Sequence, residues 1–402
     1  MTDPVIQGPN TKSLWLVVWT SFLWSVSSLM VFSLFPSFLK DELNMSGTII
    51  GLMEGIAIFL SFIVRLFSGI WSDHLLSRKP FITLGAILST LIKPAFAFVG
   101  SFWAASFMRV TDRAIKGIRA APLDALVSDL SLPESRATAF GLRQTFKTLG
   151  VITGGAIATL CMILSHNNYR LTFLLATLPA AFSIGLALRI KQPSLKEKGK
   201  KPRAWHISEI KNLPREYWST LCFCFLLFGA YFSEIFVGLS LRETGLNPSW
   251  LPPFIVSMNG IQALTALPFG KLSDRYGRQE MLVVGVILLI IVNGIFVFSS
   301  DIRLLFLGII LIGAHMGLTK GLLRAILSEN VPAHLRGTAY AVFYSFTSFS
   351  LFASNFLAGI MSDLCGPSGP VISGGVFALL ALLFLTVRMA IKPSKLFKDR
   401  ID

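Results

Sequence analysis

Charged residues are scarce in this sequence. Asp, Glu, Lys and Arg make up 14% of the 402 residues, whereas 53% of the residues are hydrophobic. Soluble domains carry roughly 25% charged residues. So few charges leave too little polar surface to cover a water-soluble protein of this length. The composition therefore predicts an integral membrane protein with many membrane-spanning segments.

Cysteine is also rare, and the motifs of several enzyme classes are absent. Four cysteines lie in or beside apolar runs: Cys161, Cys222, Cys224 and Cys365. The spacing of Cys222 and Cys224 fits neither a zinc site nor a redox pair, so we expect ordinary membrane-segment residues. No phosphate-binding loop, His-Glu-x-x-His or Gly-x-Ser-x-Gly motif occurs, and the five histidines are dispersed. We therefore expect no enzyme activity, no metal and no cofactor.

Basic residues outnumber acidic ones, and the formal net charge is +15. They lie mostly at the ends of apolar runs, without a zinc-finger, helix-turn-helix or RNA-binding signature. Membrane topology therefore explains them better than nucleic acid binding does. With the N-terminus inside, the base-rich segments fall on the inner side: 72–80, 133–136, 191–215, 274–279, 334–336 and the tail from Lys392. This pattern predicts a protein of the inner (plasma) membrane with both termini in the cytoplasm.

Apolar runs recur about every 30 residues along the whole chain. Each is long enough to cross roughly 30 Å of hydrocarbon as a helix. The alternating pattern of a membrane β-strand is missing, so we expect an all-α protein. The twelve runs are 14–37, 47–71, 80–100, 103–131, 137–164, 168–190, 217–241, 249–272, 279–299, 303–330, 337–362 and 370–391. The first run is too long for the core of a signal peptide and should remain as a span.

The runs divide the chain into two halves. Residues 1–190 hold six predicted helices, and residues 217–402 hold the other six. Residues 191–216 are basic, contain proline and form the longest polar stretch between runs. We expect this stretch to be a cytoplasmic linker.

Two motifs repeat between the halves at an offset of about 200 residues. Gly69–Asp73 ends the second run, and Gly270–Asp274 ends the eighth. Ser128–Phe140 follows the fourth run, and Ser328–Tyr340 follows the tenth. The repeat predicts two six-helix halves related by an axis along the membrane normal, with a binding site between them near mid-membrane.

The first repeated motif resembles the cytoplasmic loop signature of the major facilitator superfamily, Gly-x-x-x-Asp-Arg-x-Gly-Arg-Arg. The second copy keeps Gly270, Asp274, Arg275, Gly277 and Arg278. The first copy keeps Gly69, Asp73, Arg78 and Lys79, with His74 where arginine is usual. The resemblance implies twelve transmembrane helices in two pseudo-symmetric halves around a central cavity, and secondary transport by alternating access. It also implies that the motif residues form charge-relay contacts that gate the cytoplasmic side.

Two further runs refine the resemblance. The fourth, from Arg109 to Pro122, reads Arg-x-x-Asp-Arg-x-x-Lys-Gly-x-Arg-x-x-Pro and looks like a prokaryotic branch of that superfamily. The fifth has only part of the family's antiporter pattern, because Gly155 stands where proline is usual. This departure weakens the case for export. Proton-driven export of drugs or metabolites nevertheless stays an alternative to uptake.

Charges crowd onto one face of the fourth predicted helix. Arg109, Asp112, Arg113 and Lys116 follow the spacing of one helix face, and Arg119 lies at its edge. A charge that faces lipid at mid-depth costs about 2.5–3.5 kcal/mol. The stripe must therefore face other helices or a water-filled cavity. Pairing with Asp112 accounts for part of the set, but one carboxylate cannot neutralise three or four bases.

Other predicted helices add further bases to the membrane interior. Arg143 and Lys147 share a face of the fifth helix, Lys320 and Arg324 share a face of the tenth, and Lys93 lies in the third. The excess intramembrane charge is positive. We therefore predict an anionic substrate, a carboxylate or a phosphorylated solute, held by these five residues together with the bases of the fourth helix. For Lys320 and Arg324 the alternative is that they only snorkel to the cytoplasmic interface.

Three acidic residues are candidate proton carriers: Asp112, Glu54 and Glu234. A carboxylate in a low-dielectric site that alternates its access can load and release a proton. For Glu54 and Glu234 a hydrogen bond between helices is an equally good interpretation. The aromatic-rich stretches 15–38 and 343–356 are more typical of helix packing and interfacial belts than of ligand cages.

The expected partners are a small-molecule substrate, protons or another coupling ion, and the lipid bilayer. We expect a monomer. A function of another class stays open, namely a membrane protein that binds a solute or handles lipid without transporting it.

Overall fold

The computed structural model of the chain describes residues 11–132, 135–193, 213–329, 331 and 335–391. Every regular element among these residues is helical. The described chain is thus an all-α membrane protein, which confirms the predicted fold class. Its helices agree with the predicted runs in number and position, with differences at their ends and at three internal breaks.

The elements before residue 194 cover the first six predicted runs. They are α1 (Thr11–Phe32), α2 (Phe35–Asp41), α3 (Gly47–His74), α4 (Lys79–Ala95), a 3₁₀ turn (Phe96–Phe98), α5 (Phe102–Leu130), α6 (Arg136–Leu164), α7 (Tyr169–Leu175) and α8 (Thr177–Arg189). Two of the six runs are broken into helix pairs, α1 with α2 and α7 with α8. Pro36 and Pro179 lie just after these breaks, where proline removes a backbone donor from the preceding turn.

The elements after residue 212 cover the other six runs. They are α9 (Arg215–Gly229), α10 (Glu234–Glu243), a 3₁₀ turn (Pro248–Trp250), α11 (Leu251–Tyr276), α12 (Arg278–Phe298), α13 (Ile302–Glu329), α14 (Arg336–Cys365), a 3₁₀ turn (Gly366–Ser368) and α15 (Gly369–Ile391). The third break, at residues 230–233 between α9 and α10, contains no proline.

By length and hydropathy, nine stretches of the described residues can each cross a membrane. One of them, Ala339–Ala390, contains both α14 and α15. The helices α5 and α11 are not among the nine, although α5 has 29 residues. The charges between Arg109 and Asp124 lower the hydropathy of α5. The chain is a multi-pass membrane protein, and α5 has more charged residues than any other described helix.

The chain forms two compact units. Unit 1 comprises Met1–Met45, Ile56–Ala204 and Asn247–Val256. Its described helices pack with α1 against α6 and α8, and with α4 against α5 and α8. Its core includes Leu14, Val17, Ile82, Leu126 and Ala187, which are buried. This packing brings α1, α4 and α5 together, and these three helices carry the charged cluster described below.

Unit 2 comprises Ser46–Gly55, Trp205–Leu246 and Ser257–Asp402. Here α12 packs against α13 and α15, and α14 packs against α9 and α15. The phenol of the buried Tyr217 donates a hydrogen bond of 2.8 Å to the carbonyl oxygen of Ala339. The first residues of α3 thus belong to unit 2, although the rest of that helix belongs to unit 1.

The predicted linker, residues 191–216, lies mostly outside the described residues. Of its described part, Gln192 accepts hydrogen bonds from the backbone N–H groups of Arg78 (2.6 Å) and Lys79 (3.0 Å). The domain boundaries at residues 190 and 217 stay a prediction.

Candidate functional site

Asp112 of α5 is the centre of a buried ionic group in unit 1. Its side chain is 0% exposed. Its Oδ1 lies 2.9 Å from the Lys93 Nζ, and its Oδ2 lies 2.8 Å from the Lys116 Nζ. The Lys116 pair is an i,i+4 pair along α5, whereas Lys93 reaches Asp112 from α4. Both carboxylate oxygens of Asp112 are therefore engaged by lysines.

Three cations surround one aromatic ring beside Asp112. The ring centroid of Phe32 lies 4.4 Å from the Lys93 Nζ, 4.1 Å from the Lys116 Nζ and 4.1 Å from the Arg109 Cζ. Contacts of this kind are worth about 2 kcal/mol when desolvated. Phe32 is the last residue of α1. We call Phe32, Lys93, Arg109, Asp112 and Lys116 the Phe32 cluster.

Arg119 lies next to the Phe32 cluster on α5 and is buried. Its guanidinium carbon is 3.7 Å from the Trp24 ring centroid, and its Nη1 donates to the Ser89 Oγ at 3.1 Å. Within the described part of the chain, two buried atoms near this point of α1 have no hydrogen-bond partner, the Trp24 Nε1 and the Ser27 Oγ. Arg119 thus lies over the ring of a tryptophan whose buried indole N–H has no hydrogen-bond partner in the described part of the chain.

The named side chains carry unequal charge. Lys93, Lys116 and Arg119 are formally cationic, and Asp112 is the carboxylate that pairs with both lysines. A buried ion pair is compensated only when charges and hydrogen bonds match. Within this group, two lysines therefore share one carboxylate.

A second ionic group links three helices of unit 1. Asp124 of α5 receives the Arg65 Nη2 from α3 at 2.9 Å and the Arg143 Nη2 from α6 at 2.7 Å. The Nη1 of Arg143 is buried and has no hydrogen-bond partner in the described part of the chain. Lys147, one turn further along α6, is exposed. On α5, Arg113 lies between Asp112 and Lys116 in sequence and is half-buried.

Gly117 holds α5 close to α3. A Cβ at Gly117 would lie 2.6 Å from the carbonyl oxygen of Ser61. The hydroxyl of Ser68 donates to the carbonyl oxygen of Gly117 at 3.1 Å. The close approach places Asp124 within reach of Arg65.

Replacing Gly117 by valine should push α5 away from α3. Because the clash is with backbone, we expect a loss of stability of about 1–3 kcal/mol, measured as a lower midpoint of thermal unfolding in detergent. Gly141→Val is the matched control, because a Cβ at Gly141 of α6 meets nothing within 4 Å. Equal midpoints for the two variants would contradict the close packing of α5 and α3.

Unit 2 contains a buried carboxylate at the break between α9 and α10. Glu54 is 0% exposed, and its Oε2 accepts a hydrogen bond from the Ser233 Oγ at 2.9 Å. The Ser233 backbone N–H donates to the Asn355 Oδ1 at 2.8 Å. Glu234 follows in the first turn of α10 and is exposed. Of the predicted proton carriers Glu54 and Glu234, Glu54 is thus the buried one.

Serines of α14 bind the carbonyl groups at this break. The Ser350 Oγ donates to the Phe225 carbonyl oxygen at 2.7 Å. The Ser354 Oγ lies 2.8 Å from the Gly229 carbonyl oxygen and 2.6 Å from that of Tyr231. These hydroxyls satisfy backbone acceptors that the interrupted helix leaves open.

His315 of α13 is buried next to the same break. Its Nε2 lies 2.6 Å from the Tyr231 hydroxyl, and its Nδ1 lies 2.6 Å from the carbonyl oxygen of Gly285 on α12. The Thr319 Oγ1 lies 3.0 Å from the same Tyr231 hydroxyl. No local sequence pattern indicates this group, because Tyr231 and His315 are 84 positions apart.

Of the predicted bases of the tenth span, the structure describes the side chain of Lys320 alone. Lys320 is exposed, and its Nζ donates to the Gln262 Oε1 at 3.2 Å. Arg324 lies in α13, but its side chain is outside the described residues. Both interpretations of this pair, substrate contact and snorkelling, therefore remain predictions.

Around each copy of the repeated loop motif, oppositely charged side chains lie close together. In the first copy, Arg78 pairs with Asp73 and lies 3.6 Å from Asp129 of α5. The Lys79 Nζ donates to the Leu188 carbonyl oxygen at 2.8 Å. In the second copy, Arg278 lies 3.4 Å from Asp274 across one helical turn.

Three further motif residues are Arg275 and the first glycine of each copy. Arg275 is exposed. A Cβ at Gly69 would lie 3.3 Å from the Ala121 Cβ, whereas one at Gly270 would meet nothing within 4 Å. Gly69 is therefore a point of close helix approach, and Gly270 is not.

The whole chain matches one family of known proteins. A family model described as Major Facilitator Superfamily matches residues 17–261 and 238–400. The chain belongs to the major facilitator superfamily. It is therefore a membrane transporter of that family and not an enzyme.

Individual superfamily members resemble the chain along its length. An uncharacterised MFS-type transporter of Methanocaldococcus jannaschii is 28% identical over 384 residues, 93% of this chain and 94% of that one. Among solved structures, a mutant of the nucleoside transporter NupG has a TM-score of 0.80 at 16% identity, covering 94% of this chain and 100% of NupG. A D-xylose-proton symporter has a TM-score of 0.73 at 14% identity, covering 94% and 97%. At these identities the solved structures show the fold alone.

Within this superfamily fold, the structure brings together some of the sequence-predicted residues. The stripe of the fourth span meets Lys93 in the Phe32 cluster, and Arg143 joins α5 through Asp124. Phe32 and Trp24 were not predicted as cation partners, because aromatic-rich stretches in membrane helices usually serve packing. Asp124 was not given a role either, although it lies on the same helix, α5, as the predicted stripe.

Proposed function

We propose that this superfamily member is a secondary active transporter that moves a small organic anion, a carboxylate or a phosphorylated solute, by alternating access coupled to protons. The observation that carries the proposal is the Phe32 cluster, in which three cations contact one aromatic ring and two of them, Lys93 and Lys116, share one carboxylate. Buried positive charge of this kind is costly unless an anion compensates it. The substrate is that anion.

Lys116 is the first contact of the substrate in this proposal. Its side chain is 26% exposed, whereas those of Lys93 and Asp112 are 2% and 0% exposed. An incoming anion therefore reaches the Lys116 ammonium before the other members of the cluster. Further donors for a second carboxylate or phosphate oxygen are Arg113, on α5 like Lys116, and Arg143 and Lys147 on α6.

Proton coupling follows from competition for Lys116. When the anion takes the Lys116 ammonium, the Asp112 Oδ2 loses a partner and the Oδ1 keeps Lys93. A carboxylate oxygen in a buried site without its cation gains affinity for a proton. Asp112 then takes a proton from water as the substrate binds and releases it when Lys116 returns. Glu54, buried in unit 2, is the second candidate carrier.

The remaining assignments complete the proposal. The protein is a monomer in the inner membrane, with both termini and the linker of residues 191–216 in the cytoplasm. The motif residues gate the cytoplasmic side: Gly69, Asp73, Arg78, Lys79, Gly270, Asp274, Arg275 and Arg278. Ion pairs such as Arg278 with Asp274 supply contacts that can form and break during alternation.

A thermal-shift screen on detergent-purified protein tests the anionic substrate class. The panel contains mono-, di- and tricarboxylates and sugar phosphates, each beside its neutral amide or unphosphorylated analogue. A bound ligand stabilises the protein, so we expect an anion to raise the midpoint by about 5 °C at 100 times its Kd. Its neutral analogue should leave the midpoint unchanged.

Lys116→Gln and Lys12→Gln are the matched variants for this screen. Lys12 is exposed at the start of α1 and remote in sequence from the cluster. The shift should disappear in Lys116→Gln and persist in Lys12→Gln. A panel in which neutral or cationic compounds alone stabilise the protein would overturn the anionic assignment.

A further inference from the structure

The group of Tyr231, His315 and Thr319 in unit 2 is connected by hydrogen-bond contacts that bear on its protonation state. Four contacts connect it: His315 Nδ1 to the Gly285 carbonyl oxygen, 2.6 Å; His315 Nε2 to the Tyr231 hydroxyl, 2.6 Å; Tyr231 hydroxyl to the Thr319 Oγ1, 3.0 Å; Thr319 Oγ1 to the His315 carbonyl oxygen, 2.8 Å. Each contact joins two electronegative atoms and needs one hydrogen between them.

A neutral imidazole supplies too few hydrogens for these contacts. A carbonyl oxygen only accepts, so the hydrogen in the first contact must be on the His315 Nδ1. The Nε2 of a neutral ring then accepts the single hydrogen of the Tyr231 hydroxyl. The Thr319 hydroxyl has one hydrogen left for two contacts, the one to Tyr231 and the one to the His315 carbonyl. Three hydrogens must serve four contacts.

The doubly protonated ring supplies the missing hydrogen. The Nδ1 donates to Gly285 and the Nε2 donates to the Tyr231 oxygen. The Tyr231 hydroxyl then donates to Thr319, and the Thr319 hydroxyl donates to the His315 carbonyl oxygen. All four contacts are satisfied in one direction around the group. The geometry therefore matches an imidazolium better than an imidazole.

We propose that Tyr231, His315 and Thr319 form a proton-binding site of unit 2, whose loaded state is the His315 imidazolium. A proton from water binds the Nε2 lone pair, and the Tyr231 hydroxyl turns from the ring to Thr319. Release reverses these steps and returns the proton to water. The role of the site as a coupling site rests on the proposed proton-coupled transport. The protonation of His315 itself does not rest on that proposal.

The surroundings of His315 couple the proton to the break between α9 and α10. Two titratable groups act on the site. Lys320 on α13, five residues beyond His315, carries a charge that opposes the proton on the ring, and Cys224 on α9 acts on Tyr231. From α12 the site receives the Gly285 carbonyl, and from α14 it receives the Ser354 hydroxyl, which holds the Tyr231 carbonyl oxygen at 2.6 Å.

Rearrangement of the break between α9 and α10 would release the proton from His315. Tyr231 lies between α9 and α10, so rearrangement there withdraws its hydroxyl from the ring. A buried charged group is stable only with its hydrogen-bond partners in place. The loss of Tyr231 thus expels the proton, and the return of Tyr231 readmits it. This links the proton to a discontinuous helix, the kind of element at which transporters bind their ions.

Nitrogen-15 NMR of histidine side chains in the full-length protein, reconstituted in lipid nanodiscs, tests the proposal. The spectra are recorded without substrate from about pH 5 to about pH 8. The His315→Gln variant assigns the His315 signals, and the exposed His74 and His166 are internal references. We expect both His315 nitrogens to carry hydrogen at the low end of this range, with one proton lost as the pH rises.

Tyr231→Phe and Thr319→Val give the decisive comparison. Each removes one contact of the group with little change in volume, so each should weaken proton binding at His315 by about tenfold or more. A Ser373→Ala variant, whose lost hydroxyl donates to the Pro370 carbonyl of its own helix, should leave the titration unchanged. A His315 ring that stays neutral throughout, or a titration that Tyr231→Phe and Thr319→Val leave in place, would overturn the proposal.

The outcome is independent of the anionic substrate class. If the screen for anions fails while His315 titrates as expected, the proton site stands and the substrate assignment falls. If anions bind while His315 stays neutral, the substrate assignment stands and the proton site falls.

Discussion

Replacing Asp112 by asparagine should destabilise the protein by about 3–5 kcal/mol, because it leaves buried cations without their carboxylate. Lys93 is the main cause, since its side chain is 2% exposed and its Nζ lies 2.9 Å from the Asp112 Oδ1. Thermal unfolding of the purified variant in detergent should show a midpoint lower by on the order of 10 °C.

Two comparisons separate this effect from a general weakness of α5. Asp124→Asn removes a carboxylate that is 34% exposed and should cost only about 1 kcal/mol or less. The double variant Lys93→Met with Asp112→Leu removes the buried pair together and should recover most of the stability. An Asp112→Asn variant as stable as wild type would show that Asp112 does not compensate the buried lysines.

Replacing Lys116 by glutamine should abolish most anion uptake while the protein stays folded. The variant loses a charge-assisted contact with the substrate, which predicts binding weaker by about 10- to 100-fold. The fold should persist because Asp112 keeps Lys93 at 2.9 Å, and the side-chain amide introduced in place of the ammonium can still donate to Oδ2. The measurement is uptake by proteoliposomes of whichever anion gives the largest thermal shift.

Lys116→Arg provides the test of charge against shape at this position. It retains the positive charge and should restore part of the uptake that Lys116→Gln loses. Lys12→Gln should transport like wild type. Uptake in Lys116→Gln equal to that of wild type would remove Lys116 from the substrate site.

Much of the fold could be predicted from the sequence. The spacing of apolar runs predicted the helices, because a membrane leaves few alternatives to a helix of fixed length. The breaks after Phe32 and Leu175 were not predicted, although Pro36 and Pro179 lie close by. Hydropathy does not register a helix that stops and restarts inside one apolar run.

The candidate site could be predicted only in part. The stripe on α5 follows from helical spacing, which fixes Asp112 relative to Lys116. The pair of Lys93 with Asp112 depends on how α4 packs against α5, and no local pattern encodes that packing. The same holds for His315, whose partner Tyr231 lies at a break that the sequence did not reveal. Whether these residues bind substrate or protons stays a prediction.

The central claim is that a buried cationic cluster selects an organic anion for proton-coupled transport. Flux into proteoliposomes, with and without an imposed pH gradient, tests it most directly. The anion found in the screen is compared with its neutral analogue, and wild type is compared with Lys116→Gln. We predict that wild type accumulates the anion only under the pH gradient, and that the neutral analogue and the variant give no accumulation. Equal accumulation of the neutral analogue, or flux indifferent to the gradient, would contradict the claim.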